Sequence, residues 1–108
     1  MTTFDKREEG FEKKFAHDEE LRFKAMARRN KYLGQWAAEK LGISGSEADA
    51  YAKAVVVADF EHPGEDDVFQ KVRTDFDAKG LKNISDRDIR AAMTDMLAKA
   101  VEELKSGK

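Results

Sequence analysis

The residues able to do chemistry in this chain suit binding better than catalysis. Cysteine is absent from the 108 residues, which excludes a thiol nucleophile, a disulfide framework and a zinc ribbon. Neither a phosphate-binding G-x-x-x-x-G-K-[ST] loop nor an H-E-x-x-H motif occurs. His62, Glu65 and Asp66 are spaced to form a metal site, but carboxylates after a proline are better explained as negative charge at a helix start. The sequence therefore predicts no enzyme activity, no metal and no cofactor.

Three basic residues, Lys24, Arg28 and Lys31, recur at helical spacing and share one helix face. Such a face can contact phosphates, so these residues are a candidate contact for an anion, including a weakly bound adenine nucleotide. Nucleic-acid binding is not expected, because the net charge is −2 and no nucleic-acid docking motif is recognisable. A solvated face paired with acidic residues of the same chain is the alternative.

Three phenylalanines, Phe4, Phe11 and Phe15, stand among the charged residues that dominate the N-terminus. Their spacings of seven and four place them on one stripe of a helix, which is what a helix offers to a groove on a partner. Gly10 disfavours a helix here by about 1 kcal/mol relative to Ala. We expect this segment to be disordered or a frayed helix when free, with the rings uncovered. The alternative is that the rings extend the core stripe and pack on the other helices.

Helices must position these groups, because strand patterns are nearly absent: the only β-branched run lies in AYAKAVVVADF, among Ala and Lys. Gly42 and Gly80 suit helix ends, and Pro63 suits the first turn of a helix. A helix start is expected after each of two capping boxes, Ser44 with Glu47 and Ser85 with Asp88. These boundaries predict four helices.

The predicted fold class is all-α, a small four-helix bundle with a long first helix and a flexible N-terminal arm. Short linkers favour antiparallel neighbours. An unbroken first helix would reach about Leu41 and measure about 55 to 60 Å, but the polar residues 17–20 interrupt its apolar pattern. We expect an arm in residues 1–19 and the bundle in residues 20–108. Arg22 and Arg29 fall in the apolar stripe, and we expect them to snorkel or to pair with the acidic block of residues 41–80, whose net charge is −5.

The segments TFDKREEGFEKKFAHDEELRFKA and ARRNKYLGQWAAEKLG resemble the zeta-subunit family of alphaproteobacterial F-type ATPase inhibitors. The resemblance continues through YAKAVVVADFE and DVFQKVRTDFDAKG to SDRDIR, and so covers essentially the whole chain. It implies a protein whose N-terminal arm inhibits ATP hydrolysis by the soluble head of the ATP synthase. The arm would become helical on insertion between the catalytic α and β subunits and would block rotation of the γ subunit in the hydrolytic direction.

On this resemblance, the inhibitory segment maps to about residues 2–19. The matching positions are Phe4, Arg7, Phe11, Lys14 and Phe15. We expect a monomer when free, in the cytoplasm and associated with the membrane-bound ATP synthase, without insertion into the membrane, because no apolar stretch of spanning length occurs. A helical adaptor that binds through the bundle surface is the remaining alternative.

Overall fold

The fold was analysed on a computed structural model, which describes residues 15, 17–61 and 65–107. Four helices account for most of this part of the chain, and none of its residues lies in a strand. They are α1 (Glu19–Leu41), α2 (Gly45–Glu61), α3 (Glu65–Lys79) and α4 (Asp86–Lys105). The all-α class and the four-helix bundle predicted from the sequence are confirmed, and α1, with 23 residues, is the longest of the four.

Helix α1 begins at a capped end rather than continuing from the chain before it. Asp18 has an extended backbone, with φ −101° and ψ 103°, and its side chain accepts a hydrogen bond from the Leu21 amide. Glu19 and Glu20 then place negative charge in the first turn, where the helix dipole favours it. Asp18 thereby satisfies one of the free amides at the start of α1. The division into an arm of residues 1–19 and a bundle of residues 20–108 stays a prediction.

The helix ends follow from glycines and one complete capping box. Gly42 closes α1 with φ +77° and Gly80 follows α3 with φ +79°, a left-handed conformation that only glycine adopts without strain. Ser85 caps α4: its side chain accepts from the Asp88 amide, and the Asp88 carboxylate accepts from the Ser85 amide. Pro63, the third predicted boundary, lies outside the described residues, and α3 begins two positions after it.

The core lies where α1 meets the other three helices. Helix α1 packs most extensively against α2 and then α4, and α3 completes the bundle with fewer contacts to each neighbour. The fully buried large apolar side chains come from all four helices: Leu33, Val55, Val68, Val72, Phe76 and Ile89. Half-buried Trp36 lies against this core, with its ring centroid 5.7 Å from that of Phe76. No helix among the described residues is long and apolar enough to cross a membrane.

The two arginines in the apolar stripe of α1 have different environments. Arg22 is exposed, whereas Arg29 is fully buried and does not snorkel. Its Nε and Nη2 atoms donate to Asn30 Oδ1 at 3.1 and 3.0 Å, and Asn30 Nδ2 donates to Asp59 Oδ2 at 2.8 Å. Asp59 belongs to the acidic block, so Arg29 reaches that block through Asn30. The relay supplies some of the polar contacts that a buried guanidinium requires.

Candidate functional site

Only the last residues of the predicted inhibitory arm lie among the residues that the structure describes. Phe4, Arg7, Phe11 and Lys14 lie outside the described residues, while Phe15 has a helical backbone just before the Asp18 cap. Phe15 is half-buried, so the expectation that its ring is uncovered in the free protein is wrong to that extent.

The basic stripe of Lys24, Arg28 and Lys31 lies on α1, where the sequence predicts it. Two of its members already contact carboxylates: Lys24 Nζ lies 3.3 Å from Glu20 Oε1, and Arg28 Nη1 lies 3.4 Å from Glu103 Oε1. Lys31 is exposed and forms no ion pair with any of the described residues. An incoming anion would therefore compete with Glu20 and Glu103 at two of the three positions.

The contact between α1 and α4 beside this stripe is polar. The Tyr32 hydroxyl donates to Glu103 Oε1 at 2.5 Å, and Lys99 Nζ lies 4.2 Å from the centroid of the Tyr32 ring. This hydrogen bond lowers the pKa of Glu103, with the nearby Lys99 and Arg28 charges adding to the effect. The same hydrogen bond, together with burial, raises the pKa of Tyr32. Glu103 is therefore held as a carboxylate that joins the outward face of α1 to α4.

An apolar patch at the opposite edge of α1 was not predicted from the sequence. It consists of Phe23, Val57 and Phe60, which are 56%, 42% and 69% exposed and are the large apolar side chains exposed among the described residues. The rings of Phe23 and Phe60 meet edge to face, with centroids 6.0 Å apart. The two rings stand on different helices, α1 and α2, so no spacing within one helix brings them together.

The candidate metal site gains no support from the described side chains. His62 lies outside the described residues, and Asp66 Oδ1 accepts a hydrogen bond from Arg90 Nη2 at 2.8 Å. Among the residues whose side chains the structure describes, no group of three or more His, Cys, Asp or Glu residues could hold a metal ion.

A cleft lies between α1 and the start of α4. It has a volume of about 390 Å³, and its walls include Trp36, Lys40, Asn83, Asp88 and Asp95. Asp88 serves the α4 cap, and Lys40 Nζ lies 6.0 Å from the Trp36 ring centroid. The polar groups of this cleft are thus partly engaged in holding the bundle together.

The described part of the chain is a small all-helical bundle that carries a basic stripe and an exposed apolar patch. Comparison with known families identifies it: the chain belongs to the ATPase inhibitor subunit zeta family, whose profile matches residues 1–103. It is therefore an ATPase inhibitor subunit, a regulatory protein rather than an enzyme, and the F-type ATPase is the partner that this family implies. The resemblance seen in the sequence is confirmed.

Comparison with solved structures shows a similar fold. One of them, a solution NMR structure, is 45% identical in sequence to this chain, with a TM-score of 0.69. The similarity covers 82% of this chain and 99% of the other. Comparison with curated proteins gave no match.

Proposed function

We propose that this subunit inhibits ATP hydrolysis by inserting residues 1–19 as a helix into the soluble catalytic head of the F-type ATPase. The insertion point is the interface between an α and a β subunit, from which the arm reaches the γ subunit and blocks rotation in the hydrolytic direction. The contacts come from Phe4, Arg7, Phe11, Lys14 and Phe15. The bundle of residues 20–108 stays outside this interface and carries the arm.

The observation that supports the proposal most is the range of residues that the family profile matches. It begins at residue 1 and so includes the whole arm as well as the bundle. An inhibitor subunit must contact its target through some surface, and the arm carries three phenylalanines in its first fifteen residues. Burial of three such rings stabilises a complex by about 1.5 to 3 kcal/mol each, which exceeds an ordering cost of a few kcal/mol for a short helix.

The N-terminal cap of α1 supports separate roles for the two parts, in which the arm binds and the bundle carries it. Because Asp18 accepts from the Leu21 amide, α1 has its own N-terminal cap and does not need a preceding helical turn to satisfy that amide. The bundle can then keep its fold while the arm changes its surroundings. We further propose that the free protein is a cytoplasmic monomer that associates with the membrane-bound ATP synthase.

Removal of the arm tests the mechanism. The sharpest truncation deletes residues 2–17 and keeps Asp18, so that α1 retains its cap. With purified ATPase head, the full chain should suppress ATP hydrolysis and the truncated chain should not, while circular dichroism shows the same helical melting of the bundle. Equal inhibition by both chains would refute the arm mechanism and favour an adaptor that acts through the bundle surface.

Nucleotide contact at the basic stripe is a second candidate, favoured by the exposed Lys31, which has no carboxylate partner among the described residues. Phosphate groups would have to draw Lys24 and Arg28 away from Glu20 and Glu103. Titration of the isotope-labelled protein with ATP should then shift the amide resonances of α1 around Lys31. Lys31→Ala should abolish those shifts, and Lys82→Ala, in the exposed connection between α3 and α4, serves as the control.

A further inference from the structure

The apolar patch lies at the end of the bundle where the N-terminal arm joins α1. Phe23 follows the Asp18 cap by five residues, which is about 7 Å along the helix axis. Phe60 stands beside it near the end of α2, with the two ring centroids 6.0 Å apart. Residues 62–64, which follow α2, carry no large aliphatic or aromatic side chain. Residues 1–14 are therefore the segment of this chain that is attached close to the patch and can cover it.

The size of the patch favours a short segment over a whole partner. Phe23 and Phe60 are 56% and 69% exposed, which at about 200 Å² per ring leaves about 250 Å² of aromatic surface open to water. A stable contact between separate proteins buries about 800 Å² on each side, so a second copy or a free protein would have to find most of its contact elsewhere. A tethered segment needs less area, because its effective concentration at the bundle is in the millimolar range.

The arm carries side chains that suit this patch. On a helix, Phe4 and Phe11 share one face, and Arg7 and Lys14 lie along one edge of that face. Asp59 is the ionisable residue among the described residues that line the hollow between the two exposed rings, so a basic edge can meet it. The first fourteen residues carry four basic and four acidic residues and have no net charge. The bundle, whatever its own charge, therefore does not repel the arm as a whole.

The backbone at Asp18 allows the arm to turn back toward the patch. Phe15 and His17 have a helical backbone, whereas Asp18 is extended, so the arm does not continue along the axis of α1. Phe15 is already half-buried. The seven residues from Phe11 to Asp18 span about 10 Å as a helix and about 23 Å when extended. Either length exceeds the separation of about 7 Å between Asp18 and Phe23 along the helix axis.

We propose that residues 1–14 dock reversibly on the apolar patch in the free protein, where Phe11 covers the rings of Phe23 and Phe60. The docked arm cannot insert into the ATPase head, because the same phenylalanine cannot be in both places. The apparent Kd for the head is then the intrinsic Kd divided by the fraction of molecules whose arm is released. This regulatory consequence rests on the proposed function, whereas the docking itself is a property of the free protein.

Spin labelling tests the docking in the free full-length protein. Because the chain has no cysteine, Thr3→Cys supplies a single attachment point for a nitroxide in the arm. Amide resonances of the isotope-labelled protein are recorded with the nitroxide oxidised and then reduced. Strong broadening is expected at residues 22–24 and 57–60, and much less at residues 82–84, in the connection between α3 and α4.

Substitution of the exposed ring should release the arm. Phe60→Ser in the spin-labelled protein should relieve the broadening at residues 22–24, and Phe60→Leu, the matched apolar control, should retain it. Both variants should keep the melting temperature of the bundle, because Phe60 is exposed. With purified ATPase head, Phe60→Ser should lower the concentration for half-maximal inhibition about threefold if about two thirds of the free molecules are docked. Maximal inhibition should not change.

Three results would overturn the proposal. The first is a lack of broadening at the patch, or broadening that Phe60→Ser leaves unchanged. The second is broadening in a mixture of spin-labelled protein with isotope-labelled protein that carries no nitroxide, which would assign the patch to a second copy. The third is weaker inhibition by Phe60→Ser, which would make the patch a contact for the ATPase head. Deletion of residues 2–17 tests the proposed function separately, because its outcome does not alter the broadening seen in the full chain.

Discussion

Gly34 on α1 lies directly against the backbone of Ala52 on α2. A Cβ atom added at Gly34 would lie 2.5 Å from Ala52 Cα and 3.1 Å from Ala52 Cβ. Both residues are buried, so the two helices touch there with no side chain between them. This close approach sets the distance between α1 and α2 at this point of their contact.

Gly34→Ala should destabilise the bundle although alanine favours helices. The gain in helix propensity is about 1 kcal/mol, whereas overpacking of a tight contact costs about 1 to 3 kcal/mol. We expect a net loss of about 1 kcal/mol and a lower melting temperature in circular dichroism. Adding Ala52→Gly should not restore stability, because the nearest atom is the Ala52 Cα, which remains. A rise in melting temperature for Gly34→Ala would show that the helices separate at little cost.

The relay from Arg29 through Asn30 to Asp59 should make Asn30 intolerant of truncation. Asn30→Ala removes the oxygen on which two guanidinium nitrogens of buried Arg29 converge. Leaving a buried donor without this acceptor costs about 1 to 3 kcal/mol. Urea unfolding should report that loss. Gln35→Ala, at an exposed position of the same helix, should change the free energy of unfolding by about 0.5 kcal/mol or less.

Substitutions at Trp36 and at Phe11 should show that the stability of the bundle and the inhibition of ATP hydrolysis depend on different residues. Trp36 packs on Phe76 at the edge of the core, so Trp36→Ala should lower the free energy of unfolding by about 3 kcal/mol, near the lower limit for a buried aromatic ring. Phe11→Ala should leave the melting temperature almost unchanged and weaken inhibition of ATP hydrolysis. A melting-temperature drop for Phe11→Ala comparable to that for Trp36→Ala would assign this ring to the core.

Low pH should destabilise the N-terminal cap of α4, because it protonates Asp88. Hydrogen bonds from the Ser85 backbone and then its side chain lower the pKa of Asp88 below its ordinary value of 3.8. Because the pKa of Asp88 is lower in the folded protein, the unfolded chain binds the proton more readily. The contribution of Asp88 to the free energy of unfolding is therefore present above pH 3.8 and is lost as the pH falls through the folded-state pKa.

Asp88→Asn tests this dependence because it keeps an oxygen acceptor but removes the titration. Its free energy of unfolding should fall less steeply between about pH 5 and pH 3 than that of the unaltered protein. Ser85→Ala should cost about 1 kcal/mol near neutral pH, where the unaltered cap is fully formed. Identical pH profiles for Asp88→Asn and the unaltered protein would exclude Asp88 as a source of acid sensitivity.

The helices and their ends could be predicted from the sequence because they depend on neighbouring residues. Gly42, Gly80 and the pair of Ser85 and Asp88 act within a few residues of where they stand, through backbone dihedral angles and caps. The N-cap of α1 at Asp18 is equally local, although only an interrupted apolar pattern was expected there. The family assignment likewise follows from a sequence similarity that extends over residues 1–103.

The surfaces of the bundle could not be predicted in this way, because they depend on which helix faces which. Spacing placed Arg28 on a basic face that could contact an anion or pair within the chain, but it could not name the partner. Glu103, 75 residues further along the chain, binds Arg28 from α4. Spacing put both Arg22 and Arg29 in the apolar stripe and could not tell which one is buried, since the relay from Arg29 to Asp59 requires α2 alongside α1. Phe23 and Phe60 form one patch only because the antiparallel helices bring their ends together.

The sequence by itself therefore determined the class, the family and the local structure of the helices, since caps, glycines and apolar spacing act over a few residues. Only the tertiary structure decided which charges are paired, which arginine is buried and where apolar rings stay exposed. The physical reason is that burial and ion pairing depend on contacts between residues distant in the chain, such as Gly34 with Ala52, whose closeness follows from the packing of all four helices.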